Sequence, residues 1–224
     1  MLLATVLDVP LRERNTLLLA AGFAPIYRET KLDARELEPV RAALDAILRR
    51  QEPYPAVVMN RRRDILGSND AARNFFGFLL GRQPELVGER HELKSEANVL
   101  RLMFDPRGLR PHVRNWEAVA EVLVARVHRE AVGGVKDAAT AELLKEVLTY
   151  PEVPRRLGKP SLETPLVPVI SIEFAKNGEV FHFFSAVTTL GTPQDITVQE
   201  MRIESFFPAD AETASRARRL AESR

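Results

Sequence analysis

Cysteine is absent from this 224-residue chain, which excludes disulfides, thiolate-bound zinc and thiol catalysis. A reducing compartment, the cytoplasm, is therefore the expected location. Histidine is scarce: His91, His112, His128 and His182 show no HxxxH or HxH spacing, so no metal site is expected. Long apolar runs are missing, none nearing the roughly 20 residues of a membrane-spanning helix, so no membrane partner is expected. The front, Met1-Leu2-Leu3-Ala4, is apolar, but Asp8, Arg12 and Glu13 follow too soon for a signal peptide. An excess of one charge is missing too. The 32 Lys and Arg oppose 31 Asp and Glu, a formal net charge of +1, which does not point to a polyanionic partner. There is no Gly-rich phosphate loop, since GRxPxxxGxR at 81–90 departs from the Walker A pattern. No G-x-S-x-G turn surrounds any serine, so Ser185 and Thr188 are not read as nucleophiles and the chain is not read as an enzyme.

What is present suits a packed core: 45% hydrophobic and 28% charged residues, in a length that fits one large domain or a domain with an appendage. Two short helices are expected at 2–7 and 11–21, the second opened near Pro10 and stopped by Gly22, with 23–27 an extended connector. Leu37, Val40, Leu44, Ile47 and Leu48 recur at helical spacing and predict a helix over 34–51, ended by Pro53 and Pro55. Strands are expected at 56–60 and 64–68 around the charged turn Arg61-Arg62-Arg63. Ser68 or Asn69 then caps a helix carrying Ala71, Ala72, Phe75, Phe76, Leu79 and Leu80. Residues 81–97 read as a loop. Helices follow at 99–104, at 114–131 before Gly133-Gly134, and at 138–149 before Pro151 and Pro154.

The last third changes period. An apolar run at 166–175 and a second at 179–190 flank Asn177-Gly178, a strong hairpin signal because a type I′ turn needs positive φ at both central residues. Residues 201–207 begin with strict alternation, as in a half-solvated antiparallel strand, and 210–222 form a charged helix. Strands on either side of a helical insert indicate the α+β class: an antiparallel sheet with helices on one face.

The early hairpin, followed by Asn69-Asp70-Ala71-Ala72 and Phe75-Phe76-Gly77, resembles PAS sensors. A longer match lies in LLLAAGFAPIY (17–27), EPYPAVVM (52–59), FDPRGLRPHVRNWEA (104–118) and FSAVTTLGTPQDITVQEMRIESFFP (184–208). Together these resemble the ligand-binding domain of MmyB-like transcription regulators, over most of residues 16–220. That family is similar to the XRE class, with an N-terminal helix-turn-helix followed by a PAS-like domain. The resemblance implies a PAS-like five-stranded antiparallel sheet covered by helices over 28–224, with 1–27 a remnant of the helix-turn-helix domain and its connector. It implies sensing of an apolar or fatty-acid-like small molecule that modulates DNA binding by an attached reader. No cofactor is expected beyond such a bound amphiphile. A DNA reader places a recognition helix in the major groove, and no segment here supplies one, so DNA is expected as a partner only through a helix-turn-helix domain largely absent from this chain. A homodimer is the expected assembly.

Arg107, Arg110, His112, Arg114 and Asn115 cluster beside Trp116 at the start of an amphipathic helix. Exposed helix N–H groups and guanidinium groups favour a carboxylate, so this cluster is a candidate head-group site, with Arg110 and Asn115 foremost; the alternative is a solvated loop. Phe75, Phe76, Leu79, Met103, Phe104, Trp116, Leu123, Phe183 and Phe184 are candidates to line an apolar cavity, or equally to be plain core. Phe183 and Phe184 are adjacent on a strand, so only one of them can face the helices. Arg61-Arg62-Arg63 reads as a solvated turn before it reads as a phosphate contact. Glu200 and Glu204, with Arg202 between, read as a solvent-facing stripe, and His182 as a satisfied sheet histidine. Three functions stand: a sensor domain, a ligand-free PAS-like dimerisation module, and a small hydrolase or isomerase. The last needs a titratable pair in its pocket.

Overall fold

The computed structural model describes residues 2–82, 97–132, 138–158 and 169–222. Most of the loop expected at 81–97, with His91, lies outside these residues, as do the Gly133-Gly134 stop and the first residues of the run at 166–175. In chain order the elements are α1 (Leu2–Val6), α2 (Leu11–Ala20), α3 (Glu38–Gln51), β1 (Ala56–Met59), β2 (Ile65–Ser68), α4 (Asp70–Leu80) and α5 (Val99–Phe104). There follow α6 (Trp116–Val132), α7 (Ala138–Leu148), β3 (Val169–Lys176), β4 (Glu179–Thr188), α8 (Ile196–Glu200), β5 (Arg202–Pro208) and α9 (Ala211–Glu222). The five strands form one sheet in the order β2-β1-β5-β4-β3, with every pair antiparallel. The fold is the expected PAS-like α+β arrangement.

The last strand occupies the centre. β5 pairs with β1 through Val57 and Glu204 and with β4 through Val187 and Glu204, so it joins two hairpins made far apart in the chain. Alternation along the strands sorts side chains onto two faces. On one face lie Val57, Ile170, Ile172, Phe174, Phe181, Phe183 and Phe206, which share a core with Phe75, Leu79, Met103, Phe104, Trp116 and Val119 of the helices. On the other, Ala56, Val58 and Ile203 pack against Leu44 and Leu48, one helical turn apart on α3. Covered on both faces, β1 is buried at all four residues, which is why Ala-Val-Val-Met shows no polar alternation.

Phe75 is the hub of the larger core. Its ring lies edge-on to Phe174 (5.2 Å), Phe181 (5.2 Å) and Phe183 (5.3 Å), contacts worth about 0.5–1.5 kcal/mol each beyond the area they bury. Asn69 starts the helix that carries it. The Asn69 Oδ1 accepts from the Ala72 N–H at 2.9 Å and from the Ala56 N–H at 2.9 Å, so one side chain caps α4 and holds the entry of β1. Asn177 and Gly178 have φ of 51° and 81°, the turn geometry predicted for the β3–β4 hairpin.

Two features depart from expectation. The charged turn is not solvated throughout: Arg63 is 7% exposed, and Arg61 lies against Glu200 (3.4 Å) and Glu13 (3.6 Å), which leaves Arg62 as the half-exposed member. The helix α8 was not anticipated. Asp195 caps it by accepting from the Thr197 N–H (2.8 Å), and also accepts from the Thr30 N–H (3.1 Å). Five residues give too few turns for a periodic signal.

The front of the chain is tied to α8 at one end and bare elsewhere. Leu11 is buried and donates its N–H to Gln199 Oε1 at 2.7 Å, and the Arg28 carbonyl accepts from the Ile196 N–H at 2.8 Å. Leu2, Leu3, Val6, Leu7, Leu17, Leu19, Phe23 and Ile26 are exposed. Among the described residues no helix is long and apolar enough to cross a membrane.

Candidate functional site

A cavity lies between the sheet and helices α4 to α6. Its floor is Val57, Ile65, Ile170, Ile172, Phe174, Glu204 and Phe206; its roof is Phe76, Val99, Leu102, Met103, Leu109, Val119 and Leu123. The volume open to the centre of a water-sized sphere is about 40 Å³. One water needs about 10–15 Å³ on that measure, so the hollow takes a small group as it stands.

The roof is positioned by two buried polar anchors. Asn98, 1% exposed, accepts from the Leu100 N–H (3.0 Å) and Arg101 N–H (3.3 Å) to cap α5, and donates to the Arg62 carbonyl (2.8 Å) and Asp64 Oδ1 (2.9 Å). Helix α5 is thereby pinned to the β1–β2 turn. At its other end the Trp116 Nε1–H donates to the Met103 carbonyl at 2.6 Å, and the indole lies edge-on to Phe104 at 5.5 Å. Between these helices, Gly108 passes so close to the Leu102 carbonyl that a Cβ there would collide with it.

Two residues of the expected head-group cluster, Asn115 and Arg110, make contacts within the fold. The Asn115 Nδ2 donates to the Ser171 carbonyl (2.9 Å), and its Oδ1 accepts from the Glu173 N–H (3.0 Å), so Asn115 satisfies the edge of β3. Arg110 stacks over Trp116, its guanidinium carbon 4.2 Å from the ring centroid, donates to the Pro151 carbonyl and lies 3.5 Å from Glu152. Arg107 is exposed and pairs locally with Asp105, and Arg114 is exposed. His112 is half-buried and is held below its ordinary pKa by burial, then by Lys176. None of the five lines the cavity.

Of the expected apolar set, Phe76, Met103 and Leu123 line the cavity; Phe75, Leu79, Phe104 and Trp116 are core packed behind it. Phe184 is corrected. Phe183 takes the helix-facing position, and Phe184 stacks on Phe207 across the opposite face at 5.3 Å and 19°.

The largest revision concerns Glu204. It is 6% exposed and lies on the cavity floor, not on a solvated stripe. Among the described residues no hydrogen bond or ion pair reaches its carboxylate. On the neighbouring strand Ser185, fully buried, has an Oγ with no hydrogen-bond partner among them. Alternating polarity marked Glu204 as one face of a strand, and only the position of β5 in mid-sheet decides that this face is roofed.

The fold and cavity define an α+β domain with an apolar hollow between its sheet and helices α4 to α6. The family model described as MmyB-like transcription regulator ligand binding domain matches residues 40–220, and the chain belongs to that family. No curated protein matches it. A solved structure described as the PAS domain from Bordetella pertussis BvgS is similar at 15% identity and a TM-score of 0.30, over 81% of this chain and 97% of that one.

Proposed function

We propose that this domain is the effector sensor of a transcription regulator. An apolar small molecule, fatty-acid-like in its chain, enters the cavity between the sheet and α5–α6 and modulates DNA binding by an attached helix-turn-helix domain. The observation that carries this reading is the cavity, whose lining is apolar at every position except Glu204. Each CH₂ buried there contributes about 0.8 kcal/mol. A ligand acts only if it binds one arrangement of the domain better than another. Displacement of the covering helices by the bound molecule supplies that difference, and α8, which joins β4 to β5 and grips the front of the chain, supplies a route outward.

The test is a series of linear alcohols of rising chain length, followed by thermal melting. Bound ligand raises the melting temperature in proportion to RT ln(1 + [L]/Kd), so the rise grows with each added CH₂ until the cavity is full. Leu123→Phe, which fills the roof from a half-buried position, removes the rise. An absence of any rise with the unmodified protein refutes the reading.

A second reading, a dimerisation module, is favoured by the exposed Leu17 and Leu19 on α2 and Phe23 and Ile26 after it. It predicts a homodimer in sedimentation at micromolar concentration, and a monomer counts against it.

A further inference from the structure

Resting on the sensor reading for what displaces the roof, we infer that the β1–β2 turn is a relay. It passes the position of α5 to α2, and Arg61 against Glu13 is the contact that closes and opens.

The turn is braced from within. The Asn60 N–H donates to the Asp64 carbonyl (3.0 Å), and the Arg63 N–H donates to the Asn60 carbonyl (3.0 Å). The Asn60 side chain adds two bonds to Asp64, its Nδ2 donating to Oδ2 at 2.8 Å and its Oδ1 accepting from the N–H at 3.0 Å. Residues 60–64 therefore shift as one body.

The roof holds one side of that body. Asn98 donates to the Arg62 carbonyl (2.8 Å) and to Asp64 Oδ1 (2.9 Å). The Val99 N–H donates to the Arg63 carbonyl (2.9 Å), and the Ala97 carbonyl accepts from the Ile65 N–H (2.9 Å). Val99 lies in the roof of the cavity and Ile65 in its floor. A group that parts roof from floor bears on both halves of this seam.

The same turn reaches the front of the chain. Arg61 Nη1 lies 3.6 Å from Glu13 Oε1 on α2 and 3.4 Å from Glu200 Oε1 on α8. Glu13 is 9% exposed, and its Oε2 has no hydrogen-bond partner among the described residues. Among those residues Arg61 is the cation paired with it. A buried acid deprived of its cation is left as an uncompensated charge, a far worse state than the intact pair. Helix α2 keeps Glu13 buried only while Arg61 stays in place, so a shift of the turn becomes a release of α2. Arg12 fastens α2 to α8, whereas Glu13 follows the turn. A ligand that shifts this contact biases two discrete arrangements, as coupling between distant sites requires.

The experiment is hydrogen–deuterium exchange of the α2 amides 15–20, read against those of β4. It uses the unmodified protein, Asn98→Asp, Arg61→Gln and the double variant. Asn98→Asp keeps an oxygen to cap α5 and removes the donor to the Arg62 carbonyl. Arg61→Gln removes the charge beside Glu13. Each single variant is expected to speed α2 exchange by about fivefold or more relative to β4. The double variant is expected to match Arg61→Gln alone, because both changes cut one chain of contacts. Saturating 1-octanol is expected to raise the melting temperature and to speed α2 exchange in the unmodified protein, and to leave that exchange unchanged in Arg61→Gln.

If Asn98→Asp leaves α2 exchange unchanged, or multiplies it by the same factor with and without Arg61, the relay is overturned. Should Asn98→Asp fail to fold, Asn98→Ala takes its place in the same cycle. If octanol raises the melting temperature but leaves α2 exchange unchanged in the unmodified protein, the relay is overturned and the sensor reading stands. If octanol does not raise the melting temperature, the sensor reading falls, and the cycle of variants, which needs no ligand, decides the relay by itself.

Discussion

Arg12 grips Glu200 through two hydrogen bonds, Nε to Oε1 at 2.6 Å and Nη2 to Oε2 at 2.9 Å, and Glu200 stands four residues before Glu204 on the cavity floor. The same guanidinium reaches Glu29, with Nη1 2.8 Å from Oε2. One side chain thus closes the front of the chain onto α8, and α8 leads directly into the strand that carries the buried acid.

Arg12→Ala is expected to free the front of the chain without unfolding the sheet. The Arg12 side chain is a third exposed and that of Glu200 less than a fifth, so solvent screening limits the pair to about 1 kcal/mol of coupling in a double-mutant cycle with Glu200→Gln. That corresponds to a drop of about 2–4 °C in melting temperature for a domain of this size. Proteolysis within residues 1–27 should accelerate while cleavage of the sheet does not. The clamp is also acid-labile. Arg12 holds the Glu29 carboxyl below its ordinary 4.5, so its contribution is complete above that pH and is lost as pH falls through the lowered value. An unchanged proteolysis pattern in Arg12→Ala refutes the clamp.

Mild acid should weaken the fold through two histidines. His112 is held below the ordinary 6.5 by burial and then by Lys176, and His128 by burial. The folded state therefore favours the neutral rings, and the unfolded chain takes up protons first. Their contribution is intact above about pH 6.5 and declines as pH falls toward the lowered folded values. Melting temperature measured from pH 7.5 to 5 should fall, and the double variant His112→Gln, His128→Gln should flatten that slope. A slope as steep in the variant as in the parent would show that other groups set it.

Asn98 is the residue whose loss should loosen the roof. It caps α5 and ties it to the β1–β2 turn through four hydrogen bonds while 1% exposed. Truncation to alanine removes the cap and orphans buried backbone groups, a cost of about 2 kcal/mol. The expected drop is about 4–8 °C. Amide hydrogen exchange of 99–104 should speed up more than that of β4. Equal acceleration throughout would mean that Asn98 serves the whole fold and not the roof.

The sequence disclosed local rules well and enclosure poorly. Helix α5 was legible to the residue because Asn98 and Asp105-Pro106 bracket a short apolar run, and the β3–β4 turn because few pairs besides Asn-Gly accept its backbone. The choice between Phe183 and Phe184 was beyond it, since adjacent strand residues look alike until the sheet is assembled. The same holds for Glu204. It alternates with Ile203 and Ser205 as it would on an open sheet, and its burial follows from β5 lying between β4 and β1, the latter pairing spanning 140 residues or more of chain. Arg110 and Asn115 were legible as a polar cluster at a helix start. What they bind, the Pro151 carbonyl and the edge of β3, comes from distant segments.

The central position of β5 has a consequence for how the molecule is made. The hairpins β1–β2 and β3–β4 do not touch each other, and only residues 202–208 join them. A ribosome has therefore released the chain through residues 202–208 before the sheet can close, and until then each hairpin presents a bare edge to its surroundings. Pairings this remote in sequence slow folding and lengthen that exposure. Shortening the chain before residue 202 would leave two unconnected halves rather than a smaller version of the same protein.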